Sequence, residues 1–134
     1  MPAEYPYDYA IIRVVPRVDR GELINVGVIL SCPDVEFLEA RIELDEARLL
    51  ALDATLDVET MRANLAAIPA VCRGGAGTGH IGEMPQRSRF HWLVSPRSTI
   101  IQVSPVHTGR TTDPGAALEH LLDTMVRHPS RRLS

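Results

Sequence analysis

The chain has no lysine: all fourteen of its basic residues, among 134, are arginine. Biased base composition in the genome is the plain account of that choice. Its physical consequence is that every such cation binds carboxylate or phosphate bidentately and stays charged when buried. Aromatic residues are scarce, at 4%, so a core has to be built from Ile, Val, Leu and Ala. Cysteine occurs twice, at Cys32 and Cys72, and never as a CxxC pair. Isolated cysteines predict reduced, unpaired thiols that behave as small hydrophobes in a cytoplasmic protein. Long apolar runs are missing too. Stretches such as Val26–Leu30 fall far short of the roughly 20 residues that a spanning helix needs. Met1-Pro2-Ala3-Glu4-Tyr5 has neither the positive charge nor the apolar run of a signal peptide. The expectation is a cytoplasmic protein with no membrane segment.

What is present is the composition of a globular chain, 45% apolar and 23% charged. A single domain over 1–134 is expected, with an ordinary core and no staples. Charge is uneven. Residues 1–70 carry thirteen acids and six arginines, residues 71–134 four acids and eight arginines. Either the two halves face each other or the second half meets an anion. A net charge of −3 argues against a general nucleic-acid binder, whose affinity comes from clustered positive charge.

Residues 7–18 are β-branched and aromatic and predict a strand ending near Pro16. A second strand is expected over 25–32, with Gly27 marking a bulge or a close backbone approach. A third is expected over 37–44, where Leu38, Ala40, Ile42 and Leu44 alternate with Glu39, Arg41 and Glu43. A short helix is expected over 45–52 and a longer one over 57–71, capped by Asp57, with Val58, Met61, Leu65 and Ile68 at helical spacing. Residues 73–89, with five glycines and one proline, read as a loop. Phe90–Val94 is helix or strand, and 99–103 is a strand. Asp113-Pro114 starts a final helix over 114–127. Residues 130–134 should fray. Together these elements predict an α+β fold: a mostly antiparallel sheet with its two main helices packed on one face.

One unusually polar stretch is Arg87–Thr108. Two Ser-Pro steps, Ser95-Pro96 and Ser104-Pro105, bracket its strand and hold the residue before each proline extended. Arg97, Ser98 and Thr99 at the strand entry suit an anion cradle. His91, His107 and Thr108 lie close by in sequence, and histidine is the natural base at neutral pH. Arg13 and Arg17, four apart on the first strand, would share a face and could join Arg97. The plain alternative is that these arginines pair with acids of the first half and the hydroxyls satisfy turns. No Gly-x-Ser-x-Gly elbow or paired acid accompanies the histidines. His80, His91, His107 and Cys72 lack metal-ligand spacing, so neither a metal nor a cofactor is expected.

The segments YDYAIIRVVPRVDRGELINVGVIL, ARIELDEARLLAL and RFHWLVSPRSTIIQVSPVHTG together resemble a small bacterial family of domains of unknown function, often encoded beside a HipA-like kinase. The resemblance covers nearly the whole chain, and its last segment is the most specific. It implies an accessory role, with a HipA-like kinase as partner. Two functional readings follow. One is an accessory, protein-binding module. The other is a small enzyme or ligand-binding domain for a substrate bearing phosphate or carboxylate, with Arg13, Arg17, His91, Arg97, Ser98, Thr99, His107 and Thr108 as its candidates. Convergence of these residues in one pocket favours the second, and dispersal the first.

Overall fold

The computed structural model describes residues 3–96 and 99–127. Five strands are formed, β1 (Tyr5–Val14), β2 (Ile24–Cys32), β3 (Phe37–Ile42), β4 (Ile101–Val103) and β5 (His107–Thr111). Five helices accompany them: α1 (Glu46–Leu52), α2 (Val58–Arg73), α3 (Gly79–Gly82), α4 (Gln86–Leu93) and α5 (Pro114–Met125). The sheet runs β3-β2-β1-β4, and β5 also pairs with β1. Every pairing is antiparallel. The expected α+β class is the observed one.

β4 and β5 share one edge of β1. β5 takes Tyr5–Tyr9 and β4 takes Ile12–Val14. Buried Ser104 joins them: its N–H donates to the Ile11 carbonyl at 2.8 Å, and its Oγ accepts from the Ile11 N–H at 2.8 Å. The short link thus continues the ladder across Ser104-Pro105.

The helices divide between the two sheet faces, and here the one-face expectation is corrected. Adjacent residues of a strand point to opposite sides. Ile12, Val14, Ile29, Leu38 and Ala40 pack with Leu49 of α1, Met61 and Leu65 of α2, and Phe90 and Leu93 of α4. Ile11, Val28, Leu30 and Cys32 pack instead with Leu118, Leu121 and Leu122 of α5. The reason lies in the central strand. From Val26 to Cys32, β2 is buried at every position, so apolar side chains on both of its sides need cover.

A β-bulge aligns these faces. Ile12 pairs with Gly27 but Arg13 pairs with Asn25, leaving Val26 as the extra residue. Val26 therefore lies on the same side as Ile29, although three positions separate them. Both alternatives expected at Gly27 are seen: the bulge lies beside it, and the Arg41 carbonyl approaches its Cα closely.

Helix starts follow their caps. Asp45, Asp57 and Asp113 accept from the N–H of Arg48, Thr60 and Ala116 at 3.2, 3.1 and 3.2 Å. Residues 73–89 are more ordered than a loop reading implies: they contain a 3-10 turn at Ala76–Thr78, α3 and the start of α4. The expected fraying over 130–134 lies outside the described residues.

Ion pairs link the two halves of the chain. Arg87 of α4 binds Asp8 of β1, and also donates to Ser31 Oγ at 2.8 Å. On the other face Arg127 grips Glu43 through two bonds of 2.9 and 2.6 Å and reaches Glu119 at 2.6 Å. These carboxylates hold the Arg127 guanidinium well above its ordinary value, and Arg127 in turn holds the Glu119 carboxyl below the usual range. Arg41 of β3 meets Glu119 at 2.8 Å. The network clasps α5 to β3.

Cys32 and Cys72 are buried and unpaired. Burial pushes the Cys72 thiol from 9.0 up to about 12. Its folded value exceeds its unfolded one, so its contribution to stability is complete below about pH 9 and is lost as the pH rises towards 12. A chromogenic disulfide reagent should find little reactivity in the native protein at pH 8 and two thiols after denaturation. Fast reaction of both thiols in the native state would contradict this burial.

Candidate functional site

α2 packs against β3 on one sheet face and has a groove on each side. The larger groove, about 570 Å³, lies between α2, the end of α4 and the entry to β4. Met61, Asn64, Ala67, Ile68 and Val71 form its α2 wall, with Trp92, Leu93, Thr99, Ile100 and Ile101 opposite. Trp92 is 38% exposed and Ile100 40% exposed at the rim. α2 can line the groove because its apolar positions are spread around the helix: Met61, Leu65 and Cys72 reach the core, and Ala67 and Ile68 turn to the cleft.

Three polar side chains of this groove, Asp57, Thr60 and Thr99, are engaged within the chain. Asp57 caps α2, and the Thr60 hydroxyl also donates to it at 2.7 Å. Those two bonds, hydroxyl first, hold its carboxyl below the usual range. The Thr99 hydroxyl donates to the Ile101 carbonyl at 2.6 Å. Such a surface can bury an apolar group.

The smaller groove, about 390 Å³, lies between α2 and the end of β3. Ile42, Leu44, Leu65, Ala66 and Pro69 floor it, and Arg62 and Arg73 also line it.

The residues proposed from sequence are dispersed. Arg13 stands on the α5 side of the sheet, between Asn25 of β2 and Gln102 of β4 in register. Its Nε and the Asn25 Oδ1 are buried without a hydrogen-bond partner. Arg17 does not share that face, because β1 ends at Val14 and Arg17 belongs to the following turn. Its carbonyl accepts from Arg20 and Gly21, and its charge acts on Asp53. His91 is exposed on α4, with its carbonyl bonded by the Ser95 hydroxyl at 2.9 Å. His107 pairs with Tyr9 on the α5 side, the rings 5.5 Å apart, while Thr108 pairs with Asp8 on the opposite side. Thr99 is the one described candidate that lines the larger groove. Arg97 and Ser98 lie outside the described residues. Among the described residues no group of three metal-ligating side chains is brought together.

The sequence reading passed over Ile100 and the α2 wall. Exposed apolar residues beside a strand entry leave no periodic signal. The single tryptophan was the one visible hint.

A family model described as "Protein of unknown function (DUF3037)" matches residues 9–126. The chain belongs to the DUF3037 family. The DUF3037 match runs from β1 to the end of α5, so both grooves and the Arg13 neighbourhood lie within it. The expected likeness to a family of domains of unknown function therefore holds. No curated protein and no solved structure matches this DUF3037 chain. No helix among its described residues is long and apolar enough to cross a membrane.

Proposed function

We propose that this DUF3037 chain is an accessory, protein-binding module, and that the groove between α2, α4 and Thr99–Ile101 receives apolar side chains of its partner. The partner that the resemblance implies is a HipA-like kinase. One observation supports the reading: the larger of the two grooves is mostly apolar, open and rimmed by a half-exposed tryptophan, and its Asp57, Thr60 and Thr99 groups bond within the chain. Aromatic anchors in such clefts dominate protein interfaces. An enzyme would instead be supported by converging titratable groups, and the described candidates diverge.

Trp92→Ala should weaken binding to the kinase-like partner by about 30-fold or more, the effect of losing a hot spot worth about 2 kcal/mol. The fold should survive, because Trp92 stands at the rim. Trp92 is also the only tryptophan, so its fluorescence should shift when the wild-type complex forms. Unchanged affinity with unchanged fluorescence would remove this groove as the docking site. The second reading, an anion site, rests on the orphaned Arg13 Nε beside Asn25. It expects inorganic phosphate to raise the melting temperature and Arg13→Ala to abolish that rise.

A further inference from the structure

We propose that the exposed edge of β5 pairs with the same edge of a second copy of this chain, joining two sheets across a two-fold axis at Gly109. The proposal does not rest on the docking groove, which lies by the entry to β4, toward the other end of β1.

The main chain sets which groups face outward. The Ser104 N–H donates to the Ile11 carbonyl at 2.8 Å, and the Val15 N–H to the Ile100 carbonyl at 2.7 Å. Odd-numbered residues of β1 therefore turn their main-chain groups to this edge, since bonding alternates along an antiparallel ladder. Tyr5, Tyr7 and Tyr9 continue the alternation and pair with Thr111, Gly109 and His107. Thr108 and Arg110 thus turn their N–H and carbonyl groups away from β1. Both residues are exposed. No hydrogen bond among the described residues takes up those outward groups. The remaining edge strands are less accessible. On β3, Leu38 and Ala40 are buried. On β4, the outward Ile101 carbonyl accepts from the Thr99 hydroxyl at 2.6 Å.

The sequence of β5, HTGRT, suits pairing with itself. An axis at Gly109 sets Thr108 opposite Arg110 of the second copy, and Arg110 opposite its Thr108. These become the bonded pairs, each exchanging both N–H···O bonds. Gly109 meets its own counterpart at the closer, non-bonded spacing, where neither carries a Cβ. The Tyr7 ring covers Gly109 instead: its Cζ is 2.5 Å from where a Cβ would stand. Across the axis the two Tyr7 rings come side by side over the paired glycines. An axis at Arg110 would oppose like charges.

Charge selects a second copy over an unrelated strand. A charged side chain on an edge strand ordinarily deters pairing. Arg110 has a single described bond, 3.5 Å to the Glu4 carbonyl. Thr108 stands beside Asp8 of β1. Arg110 of the second copy would lie one strand beyond, on the same side of the sheet and about 10 Å from Asp8 between Cα atoms. An extended arginine spans that gap. Arg87 binds Asp8 through Oδ2, which leaves Oδ1 to accept. Two-fold symmetry makes this pair twice.

The test is sedimentation equilibrium of the full chain over a dilution series, which should show a monomer–dimer equilibrium. Arg110→Glu sets a carboxylate toward Asp8 of the other copy and should raise the dissociation constant at least tenfold, with an unchanged melting temperature. Thr108→Pro deletes an outward N–H in each copy and no bond of the β1 ladder, and should weaken the dimer by a similar factor. Should the proline itself lower the melting temperature, Arg110→Glu, at an exposed position, decides. Trp92→Ala should leave the dimer unchanged, which separates this edge from the docking groove. A monomer at every concentration would overturn the proposal. So would a dimer that Arg110→Glu leaves intact, or one that Trp92→Ala dissolves.

Discussion

Phe90→Ala is expected to destabilise the chain by about 3–5 kcal/mol, the cost of emptying a large buried aromatic site. Phe90 is 1% exposed and sits where α4 meets the sheet and α2. The Arg87 guanidinium lies 4.9 Å from its ring centre, so the ring also steadies the side chain that binds Asp8 and Ser31. The cavity would open beneath α4, which carries Trp92 and Leu93 of the proposed docking groove. Stability and partner affinity should therefore fall together. Urea unfolding measures the first; a lower midpoint with unchanged slope is the expected form. Phe90→Leu should cost less, because it keeps much of the volume. A loss below about 1 kcal/mol for Phe90→Ala would show that the site can collapse and that α4 is not anchored there.

Gly27→Ala is expected to cost about 3 kcal/mol, at the upper end of overpacking effects, and to lower the melting temperature by roughly 10 °C. A Cβ at Gly27 would lie 2.5 Å from the Arg41 carbonyl oxygen, 2.9 Å from Ile42 Cδ1 and 3.1 Å from Ile12 Cδ1. The side chains could rotate away. The carbonyl belongs to the β2–β3 ladder and cannot move without breaking pairing. The bulge that sets Val26 beside Ile29 would be strained as well. Gly77→Ala is the matched control, since a Cβ there meets nothing within 4 Å; its effect should stay within about 0.5 kcal/mol. Equal stability of the two variants would show that the sheet relaxes freely around Gly27.

Local chemistry made much of the fold legible. β1, β2 and β3 are rich in β-branched or alternating apolar residues, and the caps at Asp57 and Asp113 announced α2 and α5 to within two residues at either end. The deficit of acid in the second half also had structural meaning, since Arg87–Asp8 and Arg127–Glu43 cross between the halves. β5 escaped notice because HTGRT is polar and mostly exposed. Its strand conformation comes from main-chain pairing to β1, which its own side chains do not signal. α4 was ambiguous because Phe90, Trp92, Leu93 and Val94 crowd too closely to show a period.

Periodicity reports that a helix has an apolar stripe, never which surface will cover it. α2 and α5 each carry one, and both were assigned to the same face. The unbroken apolar run Val26–Leu30 held the correction, because a strand buried on both sides needs helices on both sides. The candidate site was less legible. Arg13 and Arg17 are four apart, a same-face spacing only while the strand continues, and β1 stops at Val14. Class, strand pattern and helix caps are short-range matters of side-chain chemistry, and residues within a few positions of one another settle them. The two grooves flanking α2 and the separation of the arginines arise between residues tens of positions apart. No local pattern encodes those distances; they exist only once the chain has packed both sides of β2.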